Sequence, residues 1–250
     1  MGRVVFSLAI IGFGIETLLF ARDATHSLGP QHEVIPVIPW LPAIPWLAYL
    51  FGAIWIACGV GILVRGCWRL AAMVFGALLL ACTLILIVPK YAVALGDMSL
   101  RTVVFEPLSL ACLAFLLADD VGANRSWLAR LSRYVLAVSL LVFGVDHFLA
   151  LGFIAALIPA WIPLHIFWVA FFGLVFIAAG LSIGLNILPR WGAAGAGWMF
   201  CVWVFTLHLP RVAGLYGIAG APHSPNEWSS LLIATALWGG LWALAGTPKP

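Results

Sequence analysis

Residues 165–185 read HIFWVAFFGLVFIAAGLSIGL, 21 positions without one Asp, Glu, Lys or Arg. A helix needs about 20 such residues to cross the hydrocarbon of a bilayer. The run does not alternate apolar and polar, as a barrel strand would. Comparable runs recur along the chain, and spans are expected at 4–21, 46–64, 70–88, 101–118, 134–151, 165–185, 192–208 and 227–245. Helices satisfy their own backbone hydrogen bonds, which lipid cannot do for them. The expected fold is an all-α polytopic membrane protein of about eight transmembrane helices.

Composition agrees. Of 250 residues, 64% are hydrophobic and 8% charged, with a mean hydropathy of +1.14. Soluble domains carry about a quarter charged residues, so too little charge is present here to cover a water-facing surface. The net charge of +3 is small and its basic residues form no stripe, which argues against a nucleic-acid partner. Cys58, Cys67, Cys82, Cys112 and Cys201 form no C-x-x-C pair and read as small core residues. Arg3, an apolar run, Ala21 and Ala24 have the outline of a signal peptide, but the run has a copy later in the chain and reads as a retained first helix.

That copy is part of an internal repeat. Phe13-Gly14-Ile15-Glu16 matches Phe143-Gly144-Val145-Asp146. Ile38-Pro39-Trp40-Leu41-Pro42 matches Ile158-Pro159-Ala160-Trp161-Ile162-Pro163, with one residue inserted. Beyond the insertion the offset is 121: Phe51-Gly52 with Phe172-Gly173, Gly59 with Gly180, Arg69 with Arg190, Pro89-Lys90 with Pro210-Arg211, and Glu106 with Glu227. Residues 1–121 form the first four-helix repeat, 122–133 a cytoplasmic linker and 134–250 the second repeat. With four spans in each copy, the repeats are parallel.

One side of the membrane receives Arg3, Arg65, Arg69, Arg125, Arg130, Arg133, Arg190 and Lys249, and the other Arg22, Lys90, Arg101 and Arg211. The eight-to-four split places both termini in the cytoplasm, in an inner (plasma) membrane. Small residues at four-residue spacing (Ala53, Ala57, Gly61; Gly180, Gly184; Ala193, Gly197) are expected at helix contacts. Trp40, Trp46, Trp68, Trp127, Trp161, Trp191 and Trp228 lie near span ends and suit an interfacial belt.

Ionisable side chains inside a membrane are costly, so they mark candidate sites. Glu16, Lys90 and Glu106 fall at the outer ends of their spans in the first half. Asp146, His147, His208, Arg211 and Glu227 do so in the second. If each copy folds as its own bundle, each set gathers within its half. The second half is richer, since His147 aligns with Thr17 and His208 with Ile87. A carboxylate beside a shielded imidazole suits proton transfer, so Asp146, His147, His208, Glu227, Glu16 and Glu106 are candidate catalytic groups. Arg211, Lys90, Trp161 and Trp228 are candidate ligand-binding residues.

Structural roles compete with these. Glu16–Lys90 and Asp146–Arg211 also suit buried ion pairs that fix helix packing. Ser224-Pro225-Asn226-Glu227 has the form of a capping box, and Glu106-Pro107 that of a helix start. His147 and His208 lack metal-ligand spacing, and bis-histidine haem is a disfavoured alternative. No nucleophile elbow, phosphate loop or dinucleotide fingerprint occurs. The Pro-x-Trp segments, Pro36 to Pro45 and Pro159 to Pro163, are too short to span and are expected to lie over each bundle as apolar lids.

Phe143-Gly144-Val145-Asp146-His147-Phe148, Ile158 to Pro163, His208-Leu209-Pro210-Arg211 and Asn226-Glu227-Trp228 together resemble the DoxX-like membrane proteins. The likeness covers the second half well and the first more loosely. It implies four-helix membrane bundles linked to redox chemistry, such as the small subunit of a thiosulfate:quinone oxidoreductase. Some relatives exchange thiols through a cysteine pair, which this chain lacks. The resulting expectation is binding of a quinone or other lipophilic molecule at an outward-facing carboxylate and histidine site, in contact with membrane lipid and with a partner subunit possible. A membrane acid–base enzyme of isomerase or terpenoid-cyclase type, with Trp198, Trp203, Trp238 and Trp242 as a cation-stabilising wall, is one alternative. A non-catalytic assembly subunit is the other.

Overall fold

The computed structural model describes residues 1–19, 45–91, 96, 98–119, 126–214 and 225–246, without the side chains of 45, 90, 91, 98–100, 225 and 226. The chain forms α1 (Gly2–Leu19), α2 (Pro45–Leu63) and α3 (Trp68–Cys82), the last running through a π-helical turn (Thr83–Ile87) into α4 (Val88–Tyr91). Then come α5 (Met98–Ala118), α6 (Trp127–Leu149), α7 (Leu151–Leu157) and α8 (His165–Gly184). A second π-helical turn (Val204–His208) joins α9 (Pro189–Trp203) to α10 (Leu209–Val212), and α11 (Pro225–Ala245) completes the order. No strand occurs among the described residues, and eight helical stretches are long and apolar enough to cross a membrane. Large apolar side chains such as Leu70, Ile85, Leu149 and Leu174 are exposed, as a lipid-facing surface requires.

Most spans begin and end within a few residues of expectation. The sixth helix, α6, is the exception, starting at Trp127 inside the segment read as a linker. The Ser126 side chain accepts a hydrogen bond from the Ala129 N–H at 3.1 Å and so caps the helix. Ala129 and Ser132 are buried while Arg130 is exposed, so the segment is amphipathic and its polar composition does not prevent helix. Pro107 lies inside α5, which begins at Met98; Glu106-Pro107 is therefore not a helix start. The short α7, too brief to read from periodicity, precedes the Pro159–Pro163 turn. Ala155 and Ile158 are buried there against Val169 of α8, and the Trp168 indole donates to the Pro163 carbonyl at 3.0 Å. Residues 36–44 of the first Pro-x-Trp segment lie outside the described residues.

The repeat is visible in the packing. A Cβ on Gly14 would stand 2.6 Å from the Gly52 carbonyl oxygen, and one on Gly144 would stand 2.8 Å from that of Gly173. Likewise Gly59 meets the Ser7 carbonyl and Gly180 the Ala137 carbonyl. The α1–α2 and α6–α8 crossings thus use equivalent glycines, where absence of a side chain lets the backbones touch. Gly184, Ala193 and Gly197 also serve helix contacts as expected. Ala53 and Ala57 do not: both are exposed, because α2 turns Gly52, Trp55 and Gly59 inward instead.

Neighbouring helices follow chain order, with α2 on α1, α3 on α2, α5 on α3, α6 on α5, α8 on α6, α9 on α8 and α11 on α9. Two further contacts decide the architecture. The last helix, α11, packs along α1 and also against α5. A Cβ on Gly239 would overlap the backbone at Val5 and Phe6, so α11 and α1 meet almost backbone to backbone. The first helix of each half therefore lies against the last helix of the other.

Each π-helical turn runs directly into a short helix whose second residue is a proline, Pro89 in one and Pro210 in the other. Proline has no N–H for the carbonyl four residues back, and its ring crowds that carbonyl. The chain widens just before it: Val88 N–H donates to the Thr83 carbonyl and Leu209 N–H to the Val204 carbonyl, each five residues back. The wider turn occupies equivalent positions in the halves and ends at Ile87 in one and His208 in the other.

Candidate functional site

Because successive spans alternate in direction, α1, α6 and α10 end where α5 and α11 begin. Three polar contacts confirm this common end. Ser229 of α11 donates its hydroxyl to Glu16 Oε1 of α1. Arg101 of α5 donates to Asp146 of α6. Arg211 of α10 donates to Glu227 of α11. The first two contacts join one half to the other, so the expectation that each half gathers its own polar set is corrected. The expected Asp146–Arg211 pair is corrected too: Asp146 takes Arg101, and Arg211 is occupied by Glu227. The expected Glu16–Lys90 pair lies outside the described residues, since the Lys90 side chain is not described.

The two ion pairs differ in geometry. Arg211 and Glu227 form a closed fork, Nε to Oε2 at 2.8 Å and Nη2 to Oε1 at 2.6 Å. Both carboxylate oxygens are used, the geometry in which arginine binds best. Glu227 also lies in the first turn of α11, where negative charge offsets the helix dipole. Arg101 instead places both Nε, at 3.0 Å, and Nη2 on a single oxygen, Asp146 Oδ1. Its Nη1 donates to the Gly96 carbonyl at 2.9 Å. Asp146 is 4% exposed, and its second oxygen, Oδ2, is buried with no hydrogen-bond partner among the described residues. Glu16 is likewise 4% exposed, with Oε1 taking the Ser229 hydroxyl and Oε2 buried without a partner among the described residues.

The histidines complete the second-half set. His147 Nδ1 lies 2.8 Å from the Phe143 carbonyl, and its ring centroid is 5.1 Å from that of Phe176 on α8. A carbonyl only accepts, so Nδ1 carries the hydrogen and the neutral ring keeps its lone pair on Nε2. His208 ends the π-helical turn one helical turn before Arg211, and its Nδ1 is buried without a partner among the described residues. Glu106 is partly buried on α5, and none of the described residues pairs with it. Trp161 and Trp228 are exposed, as members of an aromatic belt would be.

Two contributors escaped the sequence reading. Arg101 counts there only as a loop charge, and Ser229 not at all. Nothing in local sequence announces that α5 meets α6 or that α11 meets α1; the only hint is that Arg101 lies within a turn or two of an intramembrane carboxylate, Glu106.

The fold and these contacts define a polytopic helical membrane protein with a carboxylate-rich polar end shared between two repeated halves. The chain matches no family model, no curated protein and no solved structure.

Proposed function

We propose that the polar end binds a quinone or another lipophilic molecule with one polar group, in a redox-linked process, as the DoxX-like resemblance implies. The observation that supports this reading most is that two buried atoms of the second half, Asp146 Oδ2 on α6 and His208 Nδ1 at the end of the second π-helical turn, have no hydrogen-bond partner among the described residues. A polar atom left without a hydrogen bond in a low-dielectric interior costs about 1–3 kcal/mol, more if charged. An incoming polar head recovers that cost, while its apolar body remains in lipid. In this reading Asp146, His147 and His208 hold the head, and Arg101 and Arg211 fix the carboxylates. The site faces outward from an inner membrane with both termini cytoplasmic. The arginines at the opposite end, Arg3, Arg65, Arg69, Arg130, Arg133 and Arg190, support that orientation.

The test is a lipid-extract mass spectrum and absorption spectrum of detergent-purified protein beside His208→Ala and Asp146→Asn. A bound lipophile present in the wild type and absent from folded variants is expected. Wild-type protein that carries none, and binds no added quinone, sinks the reading.

The acid–base alternative calls on an aromatic row that stands apart from the polar end, with Trp238 and Trp242 about 16 and 22 Å beyond Glu227 along α11. Trp198 and Trp242 lie edge to face at 4.8 Å, and Trp238 and Trp242 at 5.3 Å, along the α9–α11 contact. Indole faces stabilise cations. Turnover of an isoprenoid by empty, colourless protein is the outcome that would select this alternative.

A further inference from the structure

Around Asp146 the open polar atoms of α6 accept hydrogen bonds. Asp146 is a carboxylate paired with Arg101, and its open oxygen, Oδ2, accepts. His147 has committed its Nδ1 hydrogen to the Phe143 carbonyl, which leaves Nε2 as an acceptor in the neutral ring. His208 Nδ1 takes either sense with its tautomer. Among the described residues the two arginines at this end are engaged: Arg211 with both oxygens of Glu227, and Arg101 with Asp146 Oδ1 and the Gly96 carbonyl.

We propose that the Asp146 site selects a ligand whose polar head donates hydrogen bonds, a lipophilic phenol or hydroquinone, over the corresponding dione. The inference rests on the lipophile-binding reading above and adds the hydrogen-bonding class of the head. A dione offers only carbonyl oxygens, which face Asp146 Oδ2 acceptor to acceptor and leave that oxygen unpaired. A hydroxyl placed there gives Oδ2 its missing donor. A hydroxyl on the same head also suits His147 Nε2.

Three probes of nearly one shape test this: decylhydroquinone, decylbenzoquinone and decyldimethoxybenzene, titrated calorimetrically into the detergent-solubilised full chain under reducing, anaerobic conditions for the first. The hydroquinone is expected to bind about ten-fold tighter or more than either of the others, the range for a hydrogen bond to a charged group. Asp146→Asn, whose amide is able to donate, is expected to bring the three affinities within a few-fold of one another. Should that variant fail to fold, the wild-type comparison of hydroquinone with its dimethyl ether decides alone. Equal wild-type affinity for all three overturns the donor inference and leaves lipophile binding standing. No binding of any probe overturns both.

Discussion

At the α1–α2 crossing Gly14 faces Gly52, and at the α6–α8 crossing Gly144 faces Gly173, with nearly the same approach in each. A few residues away the halves diverge. Glu16 is followed by Thr17, whose hydroxyl donates to the Phe13 carbonyl at 2.7 Å, while Asp146 is followed by His147, whose ring reaches the Phe143 carbonyl. Ile87 is 2% exposed and apolar at the end of the first π-helical turn, where the second carries His208. Glu16 is held by a neutral hydroxyl and Asp146 by a guanidinium. The two halves share the glycines that set helix spacing and differ in the groups at the polar end. Helix spacing and polar groups vary independently along each helix, and the second half adds two histidines at that end.

The sharpest test of a shared scaffold is to fill the crossings. Gly14→Leu and Gly144→Leu each push a side chain into the opposing backbone, where nothing gives way cheaply. Both are expected to abolish monodisperse protein on size exclusion; tolerance in one half alone breaks the equivalence. Next in size is Arg101→Ala. It strands a buried carboxylate and is expected to cost roughly 3 kcal/mol in detergent unfolding. Arg101→Leu with Asp146→Leu is expected to recover most of that loss, and full additivity in the double-mutant cycle would deny the pair across the halves.

Ser229→Ala removes the donor to Glu16 and is expected to cost about 1–2 kcal/mol. Thermal unfolding unchanged from wild type would remove Ser229 from the account. The smallest effect is expected at Ser7→Ala. The Ser7 hydroxyl donates to the Gly59 carbonyl, yet the equivalent position in the second half is Ala137 and packs against Gly180 equally well. A loss near 0.6 kcal/mol, about the average for hydrogen bonds between membrane helices, is the expected reading. A loss several-fold larger would mean that the first crossing depends on a bond the second does without.

The helices were legible because hydropathy and length are local properties: 165–185 announces α8 almost residue for residue. The repeat was legible because Gly, Pro and charged residues recur at fixed offsets. Which helix lies beside which was not, since lipid-exposed and buried faces are both apolar and periodicity barely separates them. Ala53 and Ala57 illustrate this, small and regularly spaced yet turned outward. The wrong partner for Asp146 has the same origin. Arg211 and Arg101 are equally plausible at that depth, and only the interleaving of α5 with α6 chooses between them. The π-helical turns had a signal in Pro89 and Pro210, which require some adjustment of the preceding turn without saying which kind.

The seam between α1 and α11 also has a consequence for synthesis. Glu16 and its hydroxyl donor Ser229 are 213 residues apart in sequence. At 5–20 residues per second of translation, the first helix waits about 10–40 s for the last to be made. Throughout that interval a carboxylate sits in a nascent helix with its closest packing surface, the backbone groove at Gly239, not yet in existence. The final helix is thus the latch of the assembly, and a ribosome stalled before it leaves an open molecule whatever the quality of the first seven spans.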